Sequence, residues 1–216
     1  MIKFIGILVF LTTTSFGAAS YDSIFAIVDA NDTIAARKLT KVDLQSRFDH
    51  DITPLHIVCD IGTIEMVQIF LEKGADPNVA NEFEYSPLDI CLDKGRNDCV
   101  LALFAHKADP NFKMPEGRNG PSILRFMRGK DSLNTEFIKL LIDHGASLEL
   151  SDSEGETPFL SAACKGTPEL LALMLRVNPN VIHDKDEDDT DALGYAKLCK
   201  NKATQKYLKN AIRVHP

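Results

Sequence analysis

Thr53–Asn78 reads TPLHIVCDIGTIEMVQIFLEKGADPN, and the rest of the chain is organised around it. Thr53-Pro54 is a helix start. Thr53 can cap the first free N–H groups, and Pro54 stands at the first helical position, where its missing donor costs nothing. Leu55, Ile57, Val58 and Cys59 make a short apolar helix, which Gly62 interrupts. Ile64, Val67, Ile69, Phe70 and Leu71 then recur at mostly helical spacing and predict a second helix. Gly74 ends it in the left-handed conformation that glycine adopts cheaply, and Ala75-Asp76-Pro77-Asn78 reads as a tight turn.

The stretch recurs. Ser86-Pro87-Leu88-Asp89 stands 33 residues after Thr53-Pro54-Leu55-His56, and Lys107-Ala108-Asp109-Pro110-Asn111 stands 33 residues after Gly74-Ala75-Asp76-Pro77-Asn78. Two independent landmarks share one period. A repeated TPLH…GADPN frame of that length resembles the ankyrin family. The resemblance implies an all-α solenoid of five to six helix–turn–helix units, with short β-hairpin fingers between them.

Outward from this core the frame predicts units at 21–48, 49–81, 82–114, 115–151, 152–185 and 186–213. The first is degenerate: Ala30-Asn31-Asp32-Thr33 replaces the glycine turn, and Ile34, Ala35 and Leu39 supply its second helix. Terminal units depart from the pattern because one side faces water. The fourth carries an insertion, since Pro121 to Gly145 is 24 residues against 20 from Pro54 to Gly74. The extra residues are expected near Arg125–Ser132, in a loop on one face. The fifth unit, with Thr157-Pro158, returns to the frame. The last has a second helix rich in Lys and Asn, as a solvent-facing cap should be.

Residues 1–19 read as an exported leader: Lys3, then an apolar core Phe4–Leu11, then a small polar run ending Gly17-Ala18-Ala19. Cleavage after Ala19 predicts export, and the resemblance narrows this to periplasmic ankyrin proteins, with secretion as the alternative. No stretch reaches the ~20 apolar residues of a membrane span. Net charge is −7, which argues against general nucleic-acid binding.

His50, His106, His144, His183 and His215 are scattered over different units with no paired Ser or Asp at a shared offset, so no catalytic site is expected. His56 is read as a fold residue bonding between loops. The five Cys show no CxxC or Cys/His spacing for zinc, and neither a metal nor a cofactor is expected. They read as small buried hydrophobes. Export would permit disulfides: Cys91 and Cys99 are the closest pair, Cys59 and Cys91 occupy nearly equivalent places in adjacent units, and the odd count leaves one thiol free. Acidic residues fall on or beside successive fingers: Asp49 and Asp51, Glu82 and Glu84, Asp152, Glu154 and Glu156, then Asp186–Asp189. Stacking would align them into a negative edge that aids solubility or steers a basic partner. Asp186–Asp189 lacks the spaced ligands of an EF-hand.

The family resemblance implies protein binding, not catalysis, through finger tips and first helices. The finger Asn81-Glu82-Phe83-Glu84-Tyr85 carries two aromatics, with Glu84 in the place of the usual glycine. Rings on a finger have no core to fill, and aromatics are favoured interface anchors. Phe83, Glu84 and Tyr85, with Met114, Arg118, Asn119, Phe126, Met127 and Arg128 along the same edge, form the expected protein-binding site. Phe83 folding onto its neighbour and Phe126 filling the core are the competing readings. Three roles are compatible: an inhibitor or immunity protein occluding a partner enzyme such as a cell-wall enzyme, an accessory scaffold stabilising a periplasmic enzyme, or a secreted effector.

Overall fold

The computed structural model describes residues 19–112, 121–128 and 133–214. Helices pair off along the chain: α1 (Tyr21–Asp29) with α2 (Thr33–Lys38), α4 (Pro54–Ile61) with α5 (Ile64–Glu72), and α6 (Pro87–Asp93) with α7 (Asn97–Ala105). Three more pairs follow: α8 (Ser122–Arg128) with α9 (Thr135–Asp143), α10 (Pro158–Lys165) with α11 (Pro168–Val177), and α12 (Ala192–Leu198) with α13 (Lys202–Val214). Between the first two pairs lies an extra short helix, α3 (Lys41–Leu44). First helices pack on first helices: α1 on α4, then α6, α8, α10 and α12 in turn. Second helices form a parallel layer, α2 on α5 on α7 and α11 on α13.

One continuous core runs between the layers, from Ile24 and Val28 through Leu55, Phe70, Leu88, Leu103, Phe159 and Met174 to Leu208. Each unit alone would leave one helix face wet, so stacking is what buries the apolar residues of the repeat. The helix starts hold as the sequence predicts. At Ser86, the backbone N–H and Oγ both donate to Asp89 Oδ2, at 2.7 and 2.6 Å, while the Asp89 N–H donates to Ser86 Oγ at 3.3 Å.

The turns after the second helices are stapled to one another by asparagine. Asn78 Nδ2 donates to the Lys107 carbonyl at 3.0 Å, and Asn78 Oδ1 accepts from the Asp109 N–H at 2.7 Å. One unit later Asn111 repeats both bonds, to the Gly145 carbonyl at 2.8 Å and from the Ser147 N–H at 2.7 Å. The Asn of the GADPN motif therefore fixes the spacing of successive units. Gly74 and Gly145 take φ of 89° and 88°, and Lys107 adopts the same left-handed backbone at 67° without the freedom of a glycine.

Several expectations are corrected. In α2, Ile34 is exposed, Ala35 half-buried and Ala36 buried, so the core residue of that helix is Ala36, together with Leu39 at its end. The helix α3 was not anticipated, although Thr40-x-x-Asp43 signals it as a capping box. The described fingers form no extended strand ladder. Among the described residues the sole β-bridge joins Lys185 to Asp191. The insertion begins later than predicted, because Arg125–Arg128 belong to α8. Of the leader expected at residues 1–19, residues 1–18 lie outside the described residues. Ser20, next to the expected cleavage point, caps α1 by accepting from the Ser23 N–H at 3.3 Å.

Candidate protein-binding surface

Four fingers are described, and three share one architecture. In Asn81–Tyr85, Asp152–Glu156 and Asp186–Thr190 the first N–H donates to the fifth carbonyl, at 3.0, 3.2 and 3.3 Å. In each, Oδ1 of the first side chain accepts two backbone N–H groups. Asn81 takes those of Phe83 and Tyr85, both at 3.0 Å. Asp152 takes those of Glu154 and Glu156 at 2.8 and 3.0 Å, and Asp186 those of Asp188 and Thr190 at 3.0 and 2.8 Å. The fourth residue is left-handed in all three: Glu84 at φ 66°, Gly155 at 77° and Asp189 at 63°. Glu84 thus occupies the glycine place, as its sequence position predicts.

Successive fingers are hydrogen-bonded. The Glu82 N–H donates to the His50 carbonyl at 3.0 Å, and the Glu187 N–H donates to the Glu154 carbonyl at 3.1 Å. His56 reinforces the first junction. It is buried, its Nδ1 accepts from the Thr53 N–H at 3.2 Å, and its Nε2 lies 2.9 Å from the Tyr85 carbonyl. Because Nδ1 accepts, the proton sits on Nε2 and is donated to Tyr85. Burial pushes the His56 pKa below the ordinary histidine value, against the opposing pull of the Tyr85 carbonyl and Asp89.

This geometry redefines the acidic edge. Asp152 is buried and Asp186 half-buried; each spends Oδ1 inside its own finger, and Asp186 Oδ2 accepts from the Tyr195 hydroxyl of α12 at 2.9 Å. Desolvation raises the Asp186 pKa, but donors from Thr190, Tyr195 and Asp188 outweigh it and hold the group below the usual carboxylate range. The carboxylates facing outward are those of Asp49, Asp51, Glu82, Glu154, Glu187, Asp188 and Asp189, the last paired with Lys185 at 2.7 Å.

On the second finger, Phe83 is 55% and Tyr85 38% exposed. The Phe83 ring leans on His50 of the preceding finger, with centroids 5.4 Å apart, yet more than half of it remains in solvent. His50 Nδ1 in turn meets the Glu82 carboxylate. Beneath these fingers the first helices form a groove of about 300 Å³. Its walls are Tyr21 and Phe25 of α1, Ile57, Asp60 and Ile61 of α4, and Ile90, Asp93 and Lys94 of α6, with Ile52, His56 and Asn81 on the finger side. Tyr21, Phe25 and Ile61 are each about 40% exposed. Tyr21 is held by stacking on Phe25 at 6.0 Å and by an edge contact with Phe48 at 5.5 Å. Asp60 and Lys94 pair across the groove floor.

The remaining expected site residues divide. Met114, Arg118 and Asn119 lie outside the described residues, and Arg128 is known here only as the last residue of α8. Phe126 and Met127 are 4% and 0% exposed, so neither presents a ring or thioether to a partner. Phe126 packs on Phe137 at 5.5 Å and shares a small cleft with Tyr85 and Arg125. The insertion does not carry them outward, because both fall on the inward face of a regular helix. Sequence reasoning missed the α1 contribution of Tyr21 and Phe25. The available signal was that Phe25 shares a short helix with Ile24 and Val28, which fill the core.

The cysteines also converge. Cys91–Cys99 and Cys164–Cys199 close as disulfides, and Cys59 is a buried free thiol. Burial pushes the Cys59 pKa up to about 12, with Arg96 pulling the other way. Arg96 Nη1 donates to the Cys59 carbonyl at 2.8 Å. No helix among the described residues is long and apolar enough to cross a membrane.

A family profile described as ankyrin repeats (3 copies) matches residues 24–114. Among curated proteins, the human transient receptor potential cation channel subfamily A member 1 is 31% identical over 129 residues, 59% of this chain and 11% of the channel. The mouse B-cell lymphoma 3 protein homolog is 28% identical over 131 residues, 60% of this chain and 28% of that protein. The chain thus matches only a minor part of these relatives' length. Among solved structures, the ankyrin repeat protein EF0377 superposes with a TM-score of 0.72 at 18% identity, covering 89% of this chain and 98% of that one. A chain from the complex of the Bdellovibrio bacteriovorus predatory endopeptidase Bd0816 with immunity protein Bd3460 gives 0.71 at 19% identity, covering 89% and 99%. With the 33-residue frame and the stacked helix pairs, residues 24–114 belong to the ankyrin-repeat family, and the chain as a whole has the fold of ankyrin-repeat structures.

Proposed function

We propose that the chain is a non-catalytic periplasmic scaffold that seats a partner enzyme along the first-helix groove and blocks it, as an inhibitor or self-protection protein does. The observation that carries this reading is a groove walled by the half-exposed rings of Tyr21 and Phe25, next to the finger whose Asn81 lines it and whose Phe83 and Tyr85 rings are also exposed, with outward carboxylates on the fingers around it. Aromatic anchors that bury large area, surrounded by a polar border, are the anatomy of a specific interface. Ring contacts on Tyr21 and Phe83 fix them before binding, which lowers the ordering cost of association. The carboxylates Asp49, Asp51 and Glu82 would steer a basic surface toward the groove, raising the association rate at low salt.

The leader-like first 19 residues support export, and the likeness to a structure holding an endopeptidase and an immunity protein supports occlusion of an enzyme. The test is affinity capture from a periplasmic extract, followed by a peptidoglycan-hydrolysis assay of the captured fraction with and without the chain. Activity that falls on adding the chain is expected. Activity that is unchanged or raised would replace inhibition with a stabilising accessory role.

A further inference from the structure

The strongest unassigned feature is a cluster of three sulfurs. Cys59 of α4, Cys91 of α6 and Cys99 of α7 are each fully buried, and their Sγ atoms all lie within 4.8 Å of one another. The group spans two units: α4 belongs to the second, α6 and α7 to the third. Among the described residues no His, Asp or Glu ligand atom joins it. Cys59 Sγ stands 3.8 Å from Cys99 Sγ, and Cys91 and Cys99 are joined here as a disulfide.

We propose that in its dithiol form this cluster is a three-thiolate site for one monovalent soft metal ion, Cu(I). Thiolates select soft ions, and an all-sulfur set lacking a fourth donor disfavours zinc, which closes structural sites with four ligands. With metal–thiolate bonds of about 2.3 Å, as zinc sites show, three sulfurs in a plane around an ion stand about 4 Å apart. The Cys59–Cys99 separation already matches that edge. The Arg96 guanidinium, held on the Cys59 carbonyl, lies beside the cluster and offsets part of the negative charge of a tris-thiolate complex.

The site has two exclusive forms. With Cys91–Cys99 oxidised, one thiol remains and no chelate forms. A dithiol reductant cleaves the Cys91–Cys99 bond by exchange, leaving two thiols here and a disulfide on the reductant. Cu(I) then binds as three protons leave Cys59, Cys91 and Cys99, with no change in metal oxidation state. The remote Cys164–Cys199 pair lacks a third sulfur and serves as an internal control.

The test uses the full chain, reduced under anaerobic conditions and titrated with Cu(I) against bathocuproine disulfonate. One Cu(I) per chain is expected, retained by the Cys164→Ser/Cys199→Ser variant. Cys59→Ser should weaken binding about a hundredfold or more, the upper end of losses seen even for residues that only support a ligand. Equal retention by Cys59→Ser, or loss of copper in the Cys164→Ser/Cys199→Ser variant, would overturn the site. X-ray absorption at the copper edge of the wild-type chain gives a second readout that needs no variant to fold. Three equivalent sulfur neighbours are expected, and two would reject the assignment.

Discussion

Arg125 of the fourth unit reaches back to Asp89 of the third, with Nη2 standing 2.7 Å from Oδ2 and both side chains almost wholly buried. Asp89 holds the place in its unit that His56 holds in the second. There the ring donates forward, to the Tyr85 carbonyl. Here the carboxylate accepts, so the next unit must supply the donor, and Arg125 does. The same Oδ2 also caps the start of α6 by accepting from Ser86. Cutting one partner out leaves a buried charge with its desolvation cost uncompensated, a loss of about 3–5 kcal/mol. Arg125→Met should therefore lower unfolding free energy in urea by about that much, with helix content retained. A loss under about 1 kcal/mol would show that Asp89 finds water or another donor.

Lys107 makes the opposite case, where a substitution should stabilise. It stands where Gly74 and Gly145 stand, with φ 67°. At both of those glycines the space for a Cβ is empty, so the cost to Lys107 is backbone strain rather than a clash. Left-handed backbone costs a residue with a Cβ about 1–2 kcal/mol, part of which glycine returns as unfolded-state entropy. Lys107→Gly should thus raise stability by roughly 0.5–1 kcal/mol, and the turn bonds from Asn78 should persist. A fall in Tm would show that the lysine side chain contributes to the turn.

His56 predicts how stability follows pH. Its folded pKa lies below the ordinary value of 6.5, so the unfolded chain binds the proton more readily. Its contribution is therefore fully present above about pH 6.5 and is lost as pH falls through the folded pKa. Melting temperature should decline between pH 7.5 and 5.5, and the decline should be shallower in His56→Leu, whatever that variant's starting stability. Equal slopes would mean that other groups control the acid side.

Much of this was legible because the repeat writes local rules twice. Thr53-Pro54 and Ser86-Pro87 each announce a helix start, and Gly74-Ala75-Asp76-Pro77-Asn78 announces a turn whose Asn reaches the next unit. The Asn81, Asp152 and Asp186 finger supports were hidden by chemistry, since an Asp on a finger reads as surface charge until its backbone donors are seen. Phe126 and Met127 were misplaced because an insertion of known size has no known position. Arg125, the residue just before them, is buried for the same reason: α8 runs on to Arg128. The three-sulfur cluster crosses units, so linear spacing could not show it. The near-equivalence of Cys59 and Cys91 was its one trace.

The aromatic finger separates binding from packing, and Phe83, Tyr85 and Phe126 make the comparison. Phe83 and Tyr85 are 55% and 38% exposed, so truncation removes less buried area from the folded chain than it would at a core ring. Phe126 is 4% exposed and lies against Phe137, so its truncation opens a cavity. Phe126→Ala should cost about 3–5 kcal/mol of stability. Phe83→Ala and Tyr85→Ala should each leave the melting temperature within a few degrees, because the finger backbone is held by Asn81 and by the His50 carbonyl rather than by the rings. If the rings anchor a partner, each truncation should weaken its binding by roughly 2 kcal/mol, about thirtyfold. Affinity measured at low and high salt then divides the surface further. Ring truncations should act equally at both, whereas Glu82→Gln should slow association chiefly at low salt. Unchanged affinity in both ring variants would move the interface off this finger and onto the α1 wall formed by Tyr21 and Phe25.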